Sequence, residues 1–122
     1  MSNEIQTACM LSVNNGTLQL PQVGTAIQDD QATARGGGPG VVDVGLSPET
    51  ISFGDIVPGY VYVRNLDATN YVHLGTDYSG VFVPMLQVKA GKQQLIYLDA
   101  GVTVRAYADT GACKVLFSAA NT

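Results

Sequence analysis

From residue 59 onward, apolar and polar residues alternate one by one between turn signals at 67–70, 75–80, 89–91, 99–101 and 109–111, a spacing of about ten residues typical of sandwiches and barrels. A period of two sends alternate side chains to opposite faces of a sheet. Val102, Val104, Ala106 and Ala108 are therefore expected on one face, with Thr103, Arg105 and Tyr107 on the other. Cys113, Val115 and Phe117 should point inward and Lys114 and Ser118 outward, and Val72 and Leu74 should oppose Tyr71 and His73. The segment 81–88 is apolar on both faces and broken by Pro84. That pattern marks either a central strand with an irregularity or an edge strand covered by a partner. Two connections are expected to be turns, the first of them a hairpin. One is 89–92, where Gly91 supplies a positive φ and joins 82–88 to 93–98. The other is 65–70, where Asp67 and Asn70 can bond nearby amides and join 60–66 to 71–74. The pattern predicts an all-β fold, an antiparallel β-sandwich of jelly-roll or immunoglobulin-like type.

The first forty residues read differently. Gly36-Gly37-Gly38-Pro39-Gly40 is expected to be an irregular loop. It divides a single domain into an N-terminal arm or set of edge strands over 1–40 and a sandwich core over 41–122. Leu18, Leu20, Val23 and Ile27 are thinly spaced strand signals, and 25–35 reads equally as a strand, a short helix or an extended arm. Beyond the loop, Val42, Val44 and Leu46 alternate, Ser47-Pro48 turns the chain, and Ile51 and Phe53 begin a short strand. Gly54-Asp55 and Pro58-Gly59 then frame a corner passing between sheets.

Composition narrows the function. The chain has 122 residues, 46% hydrophobic but only 13% charged, so much of its surface is neutral. Its net charge of -4 gives no electrostatic reason to bind nucleic acid or an anionic membrane. No apolar run approaches the roughly 20 residues of a membrane span, and Met1-Ser2-Asn3-Glu4 lacks the basic segment of a signal peptide, so cytosolic synthesis is expected. Cys9 and Cys113 match no metal or redox spacing, and two buried free thiols are expected in preference to a long-range disulfide. His73 is the only histidine, which leaves no His-rich metal site within one chain. Most aspartates sit beside Gly or Asn at turns, and that role accounts for them. Neither catalytic residues nor a cofactor or metal site is expected, so the chain reads as no enzyme.

Six tyrosines without tryptophan suit a sugar platform or, equally, a protein interface. Because charges at an interface core incur desolvation, the low-charge surface fits a chain that lies against copies of itself or another protein. The contact candidates are Leu18, Leu20, Val23, Ile27, Arg35 and the glycine loop including Gly37, followed by Tyr60, Tyr62 and Tyr71. For Leu18, Leu20 and Val23 the alternative is an inner strand of the same core.

The string Phe53-Gly54-Asp55-Ile56-Val57-Pro58-Gly59, followed by Val63-Arg64-Asn65-Leu66-Asp67-Ala68-Thr69-Asn70-Tyr71-Val72, resembles small virion-associated proteins of tailed bacteriophages. The likeness continues through Phe82-Val83-Pro84, Leu86-Gln87-Val88-Lys89-Ala90-Gly91 and Tyr107-Ala108-Asp109-Thr110. Residues 1–45 carry none of it. The resemblance implies a β-sandwich built into a phage particle after synthesis in the bacterial cytoplasm. Decoration or cement on the head leads, with the major capsid protein and copies of this chain as partners. A trimer is one stoichiometry suggested by analogy. A tail component, structural or host-glycan-binding, is the alternative. The resemblance supplies no catalytic residues.

Overall fold

The structure, a computed structural model, describes residues 4–31, 34–99 and 101–121. The chain divides into two compact units, Met1–Ala34 and Arg35–Asn121. The division falls ahead of the glycine run rather than after it.

The N-terminal unit holds two antiparallel ribbons. Strand β1 (Ile5–Ala8) pairs with β4 (Ala26–Asp29), and β2 (Leu11–Asn15) pairs with β3 (Leu18–Val23). Of the readings open for 25–35, the strand is the one realised over Ala26–Asp29.

The second unit is a β-sandwich of eight strands: β5 (Gly36–Val44), β6 (Glu49–Thr50), β7 (Tyr60–Asn65), β8 (Val72–Tyr78), β9 (Val81–Val88), β10 (Gln93–Tyr97), β11 (Arg105–Ala108) and β12 (Cys113–Ala120). One sheet has the order β10-β7-β12-β5 and the other β6-β11-β8-β9, with antiparallel neighbours throughout. Counted from the first strand of the sandwich, these orders are 6-3-8-1 and 2-7-4-5, the double-sheet arrangement of a jelly roll.

The expected alternation holds along the core strands. Val104, Ala106 and Ala108 are buried while Arg105 and Tyr107 lie on the outer face. Along β12, Cys113, Val115, Phe117 and Ala119 are buried and Lys114 and Ser118 exposed. Val72 and Leu74 of one sheet and Val61, Val63 and Val115 of the other contribute to one core cluster, with Phe117 the largest fully buried side chain. Phe53 covers Phe117 edge-on, ring centroids 6.5 Å apart. The expected corner at 54–59 is present between β6 in one sheet and β7 in the other, but the short strand expected from Ile51 and Phe53 lies just before them, at Glu49–Thr50, and the corner begins at 51.

The hairpin expected at 89–92 is instead a crossing between the sheets, and the turn expected at 65–70 is a crossing too. The turns are present, and Lys92 N donates to Lys89 O at 3.0 Å, with Gly91 at φ +72. Yet β9 and β10 lie in different sheets, as do β7 and β8. Turn residues specify that the chain reverses, but not the layer it re-enters. A hairpin would set Val61 and Val63 beside Val72 and Leu74 on the same side of one sheet, where they could not cover one another. Crossing puts them face to face.

Asn65, fully buried at the end of β7, ties both crossings together. Its Nδ2 donates to Asn70 O (2.9 Å) and Val88 O (3.1 Å), while its Oδ1 accepts from Asp67 N (2.9 Å). Its backbone exchanges bonds with the other turn: Asn65 N donates to Lys92 O (3.0 Å) and Gly91 N donates to Asn65 O (3.1 Å).

Three further expectations are corrected. Residues 36–40 are not a loop but the outer end of β5, where pairing with β12 supplies the order that glycine lacks by itself. Gly37 and Gly40 sit there at φ +105 and +88, which L side chains rarely adopt. Leu46 is exposed past the end of β5. Both thiols are free, but only Cys113 is buried and Cys9 is exposed.

Candidate functional site

Two uncovered apolar surfaces stand out, one in each unit. The first is the β2–β3 ribbon. Asn15 pairs with Leu18 across a two-residue turn, and Gly16 supplies the positive φ (+53) such tight turns need. Register then sorts the side chains. Val13 lies opposite Leu20 and Leu11 opposite Val23, with one irregularity between them, so these four share a face with Leu18 and Asn15. Ser12, Asn14, Gln19 and Gln22 fall on the other face. The apolar face is open: Leu11 is 58% exposed, Leu18 52%, Leu20 44% and Val23 57%. Among the described residues of the N-terminal unit none is buried. An isolated two-stranded ribbon is at best marginally stable in water, because it has too little apolar surface to hide. Leu18, Leu20 and Val23 are thus not an inner strand of the sandwich core. Ile27 lies opposite Thr7 in the β1–β4 ribbon and is also exposed. Gly24, at φ +117, passes so close to the Cys9 carbonyl that no Cβ would fit.

The second surface is the end of the β8–β9 ribbon. Ser79 and Gly80 make the turn, both at positive φ (52 and 81). Tyr78 pairs with Val81 and Thr76 with Val83, continuing the row of Val72 and Leu74. Burial is lost along that row, from 0% at Val72 to 75% at Tyr78 and 66% at Val81. The ribbon therefore runs beyond the core that covers its base. Strand β9 is an edge with exposed Val81, Val83 and Met85, and its register slips opposite Leu74 and Gly75. Of the two readings of 81–88, the edge strand is realised, and it carries an irregularity as well. Tyr78, Val81 and Met85 were not among the sequence candidates, although the two-sided apolar pattern pointed to this strand.

The remaining candidates are scattered. Arg35 donates Nη1 to Asp55 Oδ2 at 2.6 Å, an exposed pair that tethers the 51–59 corner. Tyr60 and Tyr62 are on the outer face of the β10-β7-β12-β5 sheet. Tyr60 meets the Tyr97 ring edge-on at 4.7 Å, and the Tyr62 hydroxyl donates to Gln93 Oε1 at 2.6 Å. Tyr71 is on the outer face of the opposite sheet, in a row with His73, Tyr107 and Phe82. The three tyrosines therefore do not form one patch. In that row His73 and Tyr107 stack on each other at 4.6 Å, while Tyr71 and Phe82 approach edge-on.

The titratable groups are engaged structurally. Asp67 Oδ2 accepts from Asn70 N (2.6 Å) and Thr69 N (3.0 Å), and these backbone bonds hold its carboxyl below the usual range. Burial, and then the charge of Asp109, push the Tyr71 phenol up. Burial, and then the charge of Asp67, do the same to the Cys113 thiol. Asp77 pairs with Arg105 (3.3 Å) and Asp43 with Lys114 (2.9 Å). Among the described residues no group of three or more His, Cys, Asp or Glu is placed to hold a metal ion. No family model, curated protein or solved structure matches the chain.

Proposed function

We propose that this chain is a structural component of a tailed-phage virion, a capsid decoration protein that binds and stabilises the assembled head. The observation that carries the adhesive part of this reading is the β2–β3 ribbon, an amphipathic element with an open apolar face in a unit without a buried described residue. The phage particle comes from the resemblance in residues 53–110. The jelly roll adds support by analogy, since viral capsid domains use it, as lectin domains do.

Magnitudes favour a repeated contact over a solitary one. Completing the burial of four half-exposed Leu and Val side chains is worth roughly 3–6 kcal/mol. Association itself costs about 4–15 kcal/mol. A single contact of this size is therefore weakly held, whereas many copies on a lattice, each with a second apolar surface at the β8–β9 end, gain by avidity.

The test is the protein composition of purified particles with density assigned to this chain. A copy number matching the head lattice, reduced by deletion of residues 1–34, is the expected result. Absence from the particle, or a few copies confined to the tail, overturns it.

A further inference from the structure

We infer that the apolar face of the β2–β3 ribbon docks on the same face of a second copy of this chain. Three observations single out that occupant. First, residues 9–28 contain no Asp, Glu, Lys, Arg or His, in a chain whose net charge is -4. Two copies meeting through most other surfaces bring like charges together, whereas here they bring none. The same neutrality offers a charged partner nothing to recognise. Second, the face is self-complementary in kind and length. Leu11, Val13, Leu18, Leu20 and Val23 of one ribbon meet the same five of another, and both apolar surfaces leave water at once. Docking on a polar surface would bury one apolar face and strip water from unmatched polar groups. Third, the opposite face is polar, with Ser12, Asn14, Gln19 and Gln22, so stacking stops at two layers. Two sheets packed in this way lie about 10 Å apart, the spacing at which side chains of facing sheets interdigitate.

The size of the face sets the strength. A ribbon of two strands with five or six residues each is about 20 Å long and 10 Å wide. Two such faces bury less than the roughly 1,200 Å² of a standard stable interface, so the pairing is reversible and depends on concentration.

The inference rests on reading the ribbon as an adhesive surface, and its test needs no phage particle. Sedimentation velocity of the full chain, from low to high micromolar concentration, should show the sedimentation coefficient rising. Leu20→Lys should weaken association by about tenfold or more, whereas Gln19→Lys, one residue away on the other face, should leave it unchanged. Leu20→Glu should weaken it as Leu20→Lys does, and mixing the two variants should restore it. A ribbon that had merely lost its structure would not be rescued in that way. A monomer at every concentration, equal behaviour of Leu20→Lys and Gln19→Lys, or failure of the mixture to reassociate overturns the inference. Particle binding by a chain that stays monomeric sinks the self-pairing alone. Self-association without particle binding sinks the virion assignment alone.

Discussion

The two units are made of the same element, the antiparallel strand, and use similar apolar residues, yet one hides them and the other does not. In the sandwich, Val61, Val63, Val72, Val115 and Phe117 are fully buried because a second sheet lies over the first. In the N-terminal unit Leu11, Leu18, Leu20 and Val23 share one face across a single irregularity and remain about half exposed. Alternation is thus sufficient to make a face and insufficient to make a core. A core needs a second layer, and among the described residues of its unit the ribbon has none.

The largest contrast should appear in thiol chemistry, where each unit carries one cysteine. Cys9 is exposed, whereas Cys113 is buried in β12 and its thiol is pushed up, which reduces the reactive thiolate. A disulfide reagent at neutral pH should label Cys9 at once and Cys113 only as the sandwich opens, a rate difference of about a thousandfold or more for a domain of ordinary stability. Comparable rates would erase the distinction between the units.

A paired substitution sharpens it. Phe117→Ala should cost the sandwich about 3–5 kcal/mol in urea unfolding. Leu18→Ala in the ribbon should shift the same transition by less than about 0.5 kcal/mol while weakening self-association. If Leu18→Ala destabilises the sandwich as Phe117→Ala does, the ribbon belongs to its fold.

The smallest effect is a pH dependence. Asp67 has its carboxyl lowered in the folded chain by the Asn70 and Thr69 amides. A depressed folded pKa means that its contribution is fully present above the unfolded value. That contribution is lost as pH falls through the folded one, in the acid range below the ordinary value of 3.8. Because Asp67 is only partly buried, the effect is small. Asp67→Asn should lower Tm slightly at neutral pH and flatten the acid limb of the Tm profile. An acid limb identical to that of the unsubstituted chain removes Asp67 from the account.

How far the structure was legible follows from the range of each interaction. Which side of a strand faces inward is a local property, and 104–108, 113–118 and 72–74 announced it correctly, whereas Val102 lies in the turn before the strand and outside the core. The sheet that a strand joins is not local. The signals at 65–70 and 89–92 are genuine turns, yet the partners of β7 are β10 and β12, some thirty and fifty residues away. Nothing in Asn65 as a single letter reveals that it bonds to Asn70, Val88, Gly91 and Lys92 together. The glycine run at 36–40 misled for a related reason, because its order is lent by β12. The β2–β3 ribbon was legible in principle. Asn15-Gly16 between Leu11, Val13 and Leu18, Leu20 is a strong hairpin signature, which weighing the leucines one at a time conceals. The end of β8–β9 was half legible: 81–88 reads as too apolar for an ordinary edge, but where its cover stops depends on the opposite sheet.

The position of β12 has a consequence for how the protein is made. It lies between β5 and β7, so until β12 has been synthesised β5 has no neighbour in its sheet and β7 has only β10. Translation delivers the adhesive ribbon first and the closing strand much later. During that interval a nascent chain displays its self-pairing face with no finished sandwich behind it, and on a crowded message the nearest match for that face is the nascent chain on the adjacent ribosome.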